Sequence, residues 1–292
     1  MGSGVGATPT VSVVIPMFNE ADRIEPTLRD AVATLDSWPT LSEIVAVDDG
    51  STDGCGDAVR TIAGELADAG SRTATRVRVE TMPRNRGKGA AVRRGLEVSR
   101  GAWVLMMDAD NSARIEELPK LAAAANRSRA AFAVGSRNVP TSDVKADPRR
   151  KLSGMVFRAV LGTLGVAFVR DTQCGFKLYR RDAADLCARL GTEDGFAFDI
   201  EHIGLCERTQ LGVVEVGIRW VHKDGGSISV VRDGLRMIAQ AWRIRGRLAK
   251  VDPSAAGEPA ASVLELKPTP TPISGHAVRD VDAHAAAPGG EG

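Results

Sequence analysis

Five short runs dominated by apolar and β-branched residues punctuate the first half of the chain: Val11 to Ile15, Glu43 to Val47, Val77 to Thr81, Trp103 to Met107 and Ala131 to Gly135. Runs of this length without polar alternation predict strands covered on both faces. Helix-compatible stretches separate them, at Asp22 to Leu35, Asp57 to Ala69, Ala90 to Ser99 and Ile115 to Asn126. Strand, helix, strand, helix predicts parallel crossover units and a doubly wound, mostly parallel α/β sheet. The second half changes rhythm. It predicts a helix from Arg150 to Leu164, a strand at Phe176 to Tyr179, helices at Ala183 to Arg189 and Asp199 to Arg208, a strand at Val213 to Trp220, and a last helix from Arg232 to Leu248. No internal repeat is present, and one two-part domain over residues 10–250 is expected, after a flexible N-terminus at 1–9.

Charge sharpens the boundary. The whole chain holds 38 Lys and Arg against 37 Asp and Glu. Residues 252–292 hold six of the acids and two of the bases, so the body carries 36 bases and 31 acids. That C-terminal segment also has six of the 14 prolines and no aromatic residue. A segment so poor in apolar surface does not offset its ordering entropy, so residues 251–292 are expected to be a disordered acidic tail. A membrane-spanning helix needs about 20 apolar residues. The longest internal uncharged candidate is the eleven-residue run Ala159 to Val169, and no basic region precedes the uncharged start of the chain. A cytoplasmic protein, at most peripheral at a membrane, is expected. Four scattered cysteines form neither a zinc pattern nor a disulfide framework.

In an open parallel sheet the carboxyl ends of the strands carry the ligand. The residues found there are Pro16-Met-Phe18-Asn-Glu20, Asp48-Asp49-Gly50-Ser51-Thr52-Asp53, Asn85-Arg-Gly-Lys88-Gly89, Asp108-Ala109-Asp110 and Ser136-Arg137. Alternate positions of an extended chain face one side, so Asp108 and Asp110 can approach one hard cation, Mg²⁺ or Mn²⁺; a polar turn capping the next helix is the plainer alternative. Two adjacent carboxylates at Asp48 and Asp49 exceed what helix capping by Asp53 needs, and one can accept bonds from a base or ribose. Asn85 to Gly89 opens a helix, whose amides and dipole favour an anion, although it is no Walker loop because Lys88 precedes Gly89 rather than Ser or Thr. The conjunction describes a nucleotide diphosphate held over a metal. No nucleic-acid partner is expected.

The series VSVVIPMFNE, VAVDDGSTDG, NRGKGAAVRRG, WVLMMDAD, VGSRN and DTQCGFKLYRR resembles family 2 glycosyltransferases of the GT-A fold. Within that family it is similar to the branch that makes polyprenyl-phosphate sugars, the dolichyl-phosphate glucosyl- and mannosyltransferases. The likeness runs from about Val11 to Leu248, and DTQCGFKLY with GFAFDIE is nearest the glucosyltransferases. The resemblance implies a nucleotide-binding half of Rossmann type joined to an acceptor half. It implies that Pro16, Phe18 and Glu20 line the nucleotide pocket, that Asp49 reads the base, that Lys88 lies near the nucleotide, that Asp108 serves ribose or metal, and that Asp110 holds the metal with the diphosphate. Asp199, at the start of a late helix, takes the place of the general base, and Arg137 with Lys177, Arg180 and Arg181 would face phosphates. His222-Lys-Asp-Gly-Gly and the tail match no part of the family pattern.

The expected reaction is inverting transfer of a hexose from a nucleotide-sugar, UDP-glucose ahead of GDP-mannose, to a polyprenyl or dolichyl phosphate. A phosphate monoester has a second pKa of about 6 and needs no base, in which case Asp199 orients the sugar instead. Nine bases and two acids between Lys145 and Arg181 support a lipid acceptor. So does a last helix with Val231, Leu235, Ile238 and Trp242 on one stripe beside Arg232, Arg236, Arg243 and Arg247. Packing of that helix on its own core is the alternative. A soluble enzyme with a small hydroxylated acceptor and a non-catalytic nucleotide-sugar-binding protein also remain open. A nucleotidylyltransferase does not fit, because PMFNEAD lacks its glycine-rich, arginine-bearing loop.

Overall fold

The computed structural model describes residues 8–68, 75–145, 162, 165–166, 168–223, 230–257, 260 and 262–266. Strand β1 (Val11–Met17) is buried along its whole length, as its unbroken apolar run requires, because helices cover both faces of the sheet it centres. Helix α1 (Ala21–Asp36) places Ile24, Leu28, Ala31, Val32 and Leu35 on one stripe against one face. Helix α2 (Cys55–Asp68) joins it there. Helix α3 (Lys88–Val98) packs on the other face through Ala90, Ala91, Val92 and Leu96.

Strands β2 (Ser42–Asp48) and β3 (Thr75–Thr81) extend the sheet on one side of β1, and β4 (Trp103–Met107) lies on the other, all parallel. Helix α4 (Leu118–Ser128), entered through a 3₁₀ turn at Ile115–Glu117, leads to β5 (Phe132–Ser136). The seventh strand in chain order, β7 (Phe176–Arg180), inserts antiparallel between β4 and β5, and β8 (Val213–Gly217) closes the far edge. The order is therefore β3-β2-β1-β4-β7-β5-β8, a seven-stranded, mostly parallel sheet.

The single strand expected over Val213 to Trp220 divides in two. After Gly217 the buried Ile218 leaves the main sheet, and β9 (Arg219–Val221) pairs with β6 (Asp143–Lys145) as a separate ribbon. Glu117 holds the departure by accepting a hydrogen bond from the Arg219 amide at 3.1 Å. Helices α5 (Arg181–Leu190), α6 (Phe198–Arg208) and α7 (Val230–Leu248) cover the second half. The helix expected at Arg150 to Leu164 falls outside the described residues except for Gly162, as does Asp224-Gly225-Gly226 of the His222 motif.

Two expectations about the C-terminal part need correction. On α7 the buried positions are Ala241, Ile244 and Leu248, whereas Trp242 is 67% exposed; the side chains of 231–238 lie outside the described residues. The segment expected to begin a disordered tail is instead laid along the body. Arg208 donates to the Val251 carbonyl, Arg189 to that of Ala255, and the Ala260 amide to Asp182. Asn126 and Leu264 then exchange two hydrogen bonds, and the Leu264 side chain enters the core at 1% exposure. Composition averaged over 41 residues hid this, because a few apolar residues and main-chain bonds suffice to dock an extended strap. Residues 267–292 lie outside the described set. Among the described residues no helix is long and apolar enough to cross a membrane, and all four cysteines are free and buried.

Candidate functional site

The carboxyl ends of β1, β2 and β4 open on one edge of the sheet. Past β1, Asn19 takes a left-handed conformation with φ 55°. Its Oδ1 accepts the Thr52 amide at 2.9 Å, and its own amide donates to Ser51 Oγ. Asp53 accepts the Cys55 amide, as the expected cap of α2, and also the Ala21 amide that starts α1. The two carboxylates at the end of β2 divide their work. Asp48 accepts the Ser51 amide, while Asp49 turns to the next loop and accepts the amides of Arg86 and Gly87 at 2.9 and 2.7 Å. Burial raises the pKa of Asp49, against the opposing pull of those two amides.

That loop delivers Lys88 to the cleft. Gly87, with φ 112°, and Gly89 lie so close to the loop before α6 that a Cβ would meet the Asp194 carbonyl oxygen at 2.5 Å or that of Glu193 at 2.3 Å. The partner loop, Thr192 to Phe196, is pinned from several sides. Glu201 accepts the amides of Thr192 and Glu193, both at 2.8 Å. Asp194 pairs with Arg86 and Arg93, and Glu193 with Gln240 and Arg247. None of these groups was marked by a motif; the acidic pair after Thr192 was the available signal.

Lys88 Nζ lies 2.5 Å from Asp108 Oδ1. Burial pulls its pKa down, but the carboxylates of Asp108, Asp199 and Asp110 outweigh that effect and raise it. Asp110 Oδ1 accepts the Ser112 amide at 2.9 Å, so the turn-capping alternative holds for one of its oxygens. Glu20 pairs with Arg23 at 2.7 Å, and its pKa is raised by burial and by its neighbours Asp110 and Asp108. Behind Asp108, a Cβ on Gly175 would lie 1.8 Å from Asp108 Oδ2, so glycine there is a condition of the carboxylate's position. These groups converge on a cavity of about 580 Å³ lined by Pro16, Phe18, Glu20, Asp49, Lys88, Asp108 and Asp110, with Phe196 on its rim. Phe18 and Phe196 are 44% and 42% exposed.

Other expected site residues stand apart from that cavity. Arg137 grips Asp171 through two side-chain bonds at 2.8 and 2.9 Å and lies over the Trp220 ring. Burial opposes both charges, yet the bidentate pair raises the pKa of Arg137 and lowers that of Asp171. Arg180 closes on Asp182, and Arg181 donates to the Gly101 carbonyl and pairs with Asp185. Lys177 is 0% exposed and lies 2.8 Å from Asp199 Oδ1. These four bases are therefore committed within the protein rather than presented to phosphates. Asp199 is buried behind the cleft, its pKa raised by burial against the pull of Lys177 and Lys88. A neighbouring cavity of about 560 Å³ lies between the 192–196 loop and α7, with Arg86, Arg243 and Arg247 in its wall.

The chain matches the family model described as "Glycosyl transferase family 2" over residues 12–186. It is 34% identical over 218 residues to a Trichomonas vaginalis dolichyl-phosphate beta-glucosyltransferase, covering 71% of this chain and 62% of that protein. The match thus spans less than two thirds of that relative's length. Identity to the Saccharomyces cerevisiae dolichyl-phosphate beta-glucosyltransferase is 32% over 250 residues, with 80% and 74% covered, and to the human one 30% over 260 residues, with 81% and 78% covered. Among solved structures, Mycobacterium tuberculosis glucosyl-3-phosphoglycerate synthase with phosphoglyceric acid superposes with a TM-score of 0.59 at 23% identity, covering 84% of this chain and 81% of that one. Mannosyl-3-phosphoglycerate synthase from Rubrobacter xylanophilus gives 0.59 and 23%, with 84% and 77% covered.

Proposed function

The chain belongs to glycosyl transferase family 2, and from that premise we propose that it transfers glucose, with inversion, from UDP-glucose to a polyprenyl or dolichyl phosphate. The observation that carries this reading is the convergence of Pro16, Phe18, Glu20, Asp49, Lys88, Asp108 and Asp110 on one cleft at the strand ends. The acceptor follows from the names of the dolichyl-phosphate relatives.

Asp108 and Asp110 fit a hard divalent cation, Mg²⁺ or Mn²⁺. Both are oxygen donors at one strand end, and the described residues include no set of three or more His, Cys, Asp or Glu for a fully protein-made cage. Two carboxylates completed by substrate phosphates suit such an ion. Mn²⁺ and UDP-glucose also appear together in a structure of the M. tuberculosis synthase. When bound, the ion would neutralise charge on the departing diphosphate.

In this reading the chain's own groups bind and orient. Phe18 and Pro16 flank the nucleotide. Asp49 fixes the 84–87 loop, so it shapes the base pocket through that loop as well as facing it. Lys88 brings a permanent positive charge to the diphosphate. The phosphate acceptor arrives largely deprotonated near neutral pH, because its second pKa is about 6, so no side chain need remove its proton. Asp199, paired with Lys177, then orients rather than acts as general base. Transfer of label from UDP-glucose to polyprenyl phosphate, with GDP-mannose and 3-phosphoglycerate as competing substrates, tests the proposal. Labelled product only with a water-soluble acceptor would replace it by the small-acceptor reading.

A further inference from the structure

A fully buried lysine in the middle of a sheet demands an explanation. Lys177 stands on β7 with Met106 and Val134 as its register partners on the neighbouring strands, where an apolar residue would be expected. Its ammonium donates to the Cys174 carbonyl and lies 2.8 Å from Asp199 Oδ1. Such a pair is a poor device for stability, since well-packed apolar residues often replace a buried ion pair at no loss. The pair does lie next to the reactive edge. Asp199 is electrostatically coupled to Lys88 and to Asp108, and Lys88 faces the cleft. Charges therefore alternate inward from the cleft as Asp108, Lys88, Asp199 and Lys177.

We propose that Lys177 is a positioning residue of the transfer reaction, holding Asp199 as a fixed counter-charge that keeps the Lys88 ammonium in place when donor phosphates compete for its partner Asp108. The inference rests on the reading of the cleft as a nucleotide-sugar site. Asp108 cannot serve Lys88 and a donor-bound cation equally, so Lys88 needs a second carboxylate that the donor does not reach. Asp199 is that group, buried behind Lys88. Its orientation is in turn set from the protein side by a cation that has no route to solvent. Lys177 touches neither the cleft nor its contents and acts only through Asp199.

A double-mutant cycle tests this on the full chain. Lys177→Met, Asp199→Asn and the double variant are compared for kcat and KM with UDP-glucose, Mn²⁺ and polyprenyl phosphate, and for UDP-glucose affinity by calorimetry. Lys177→Met should lower kcat roughly 10²-fold, the scale of a small misplacement of a binding group, with a smaller change in KM. Lys177→Arg should recover part of that loss. The double variant, which removes both buried charges and so folds even where the single one fails, should be no worse than Asp199→Asn alone. Additive losses, or a Lys177→Met protein that melts lower but keeps wild-type kcat and KM, would overturn the proposal. If the wild type binds UDP-glucose yet ignores polyprenyl phosphate, the acceptor reading fails separately. The cycle is then read on donor affinity, where the same non-additivity is expected and additivity overturns the proposal.

Discussion

The two halves of this molecule use charge in opposite ways. In the half built from β1 to β4, Glu20, Lys88, Asp108 and Asp110 stand at strand ends and face a common cavity. In the half built from β5 to α7, Arg137, Lys177, Arg180 and the acids opposite them close on one another inside the protein. The first arrangement leaves charge available for a ligand. The second fixes the frame that the ligand meets. Similar residue types thus serve binding or architecture according to whether a partner within the chain reaches them first.

The largest effect that would sharpen the contrast lies at the strand ends. Asp110→Asn should cut turnover by roughly 10³-fold or more and weaken UDP-glucose binding in Mn²⁺, because a group facing developing diphosphate charge is lost. Initial rates and calorimetry with and without the ion check it; equal donor affinity in both conditions would remove Asp110 from the cation site. The strap is the counterpart on the architectural side. Leu264→Ala should cost about 2–4 kcal/mol for a fully buried leucine, and ending the chain after Val251 should lower the melting temperature by several degrees. An unchanged melting curve would mean that the strap is not held in solution.

Where the halves meet, Gly175→Ala should lower kcat/KM roughly 10²-fold by displacing Asp108, whose Oδ2 would lie 1.8 Å from the new Cβ. Unchanged kinetics would show that Asp108 moves freely. His202 supplies a smaller effect. Burial holds its pKa down at about 3, against 6.5 when exposed. Between those values the unfolded chain binds the extra proton, so stability is full above pH 6.5 and falls as the pH drops. The loss should reach about 2 kcal/mol by pH 5. His202→Gln should flatten that slope in denaturant titrations at pH 7 and 5. The smallest effect concerns the exposed face of α7: Trp242→Ala should change stability by less than about 0.5 kcal/mol, and a larger loss would mean that this face is covered.

The same contrast explains what the sequence revealed. Asp49, Lys88, Asp108 and Asp110 each follow an apolar strand or open a helix within a few positions, so their meeting at one edge follows from the parallel topology alone. The strand order also placed β7, though not its antiparallel insertion. The ion pairs of the other half join residues far apart, 34 positions for Arg137 and Asp171 and 54 for Glu193 and Arg247. No local pattern records such pairings. Lys177, Arg180 and Arg181 consequently read as a basic patch, and only the fold shows where each charge goes. The strap was hidden for a related reason: Leu264 is one apolar residue in a proline-rich stretch, and its burial depends on a groove beside Asn126.

Incubation of the full chain with labelled UDP-glucose, polyprenyl phosphate and Mn²⁺, followed by organic extraction, tests the central claim most directly. Label should enter the lipid phase as glucosyl phosphate, only while the divalent cation is present, and not with Asp110→Asn. Label that remains wholly in the aqueous phase while wild-type protein still binds UDP-glucose would contradict the lipid-phosphate assignment.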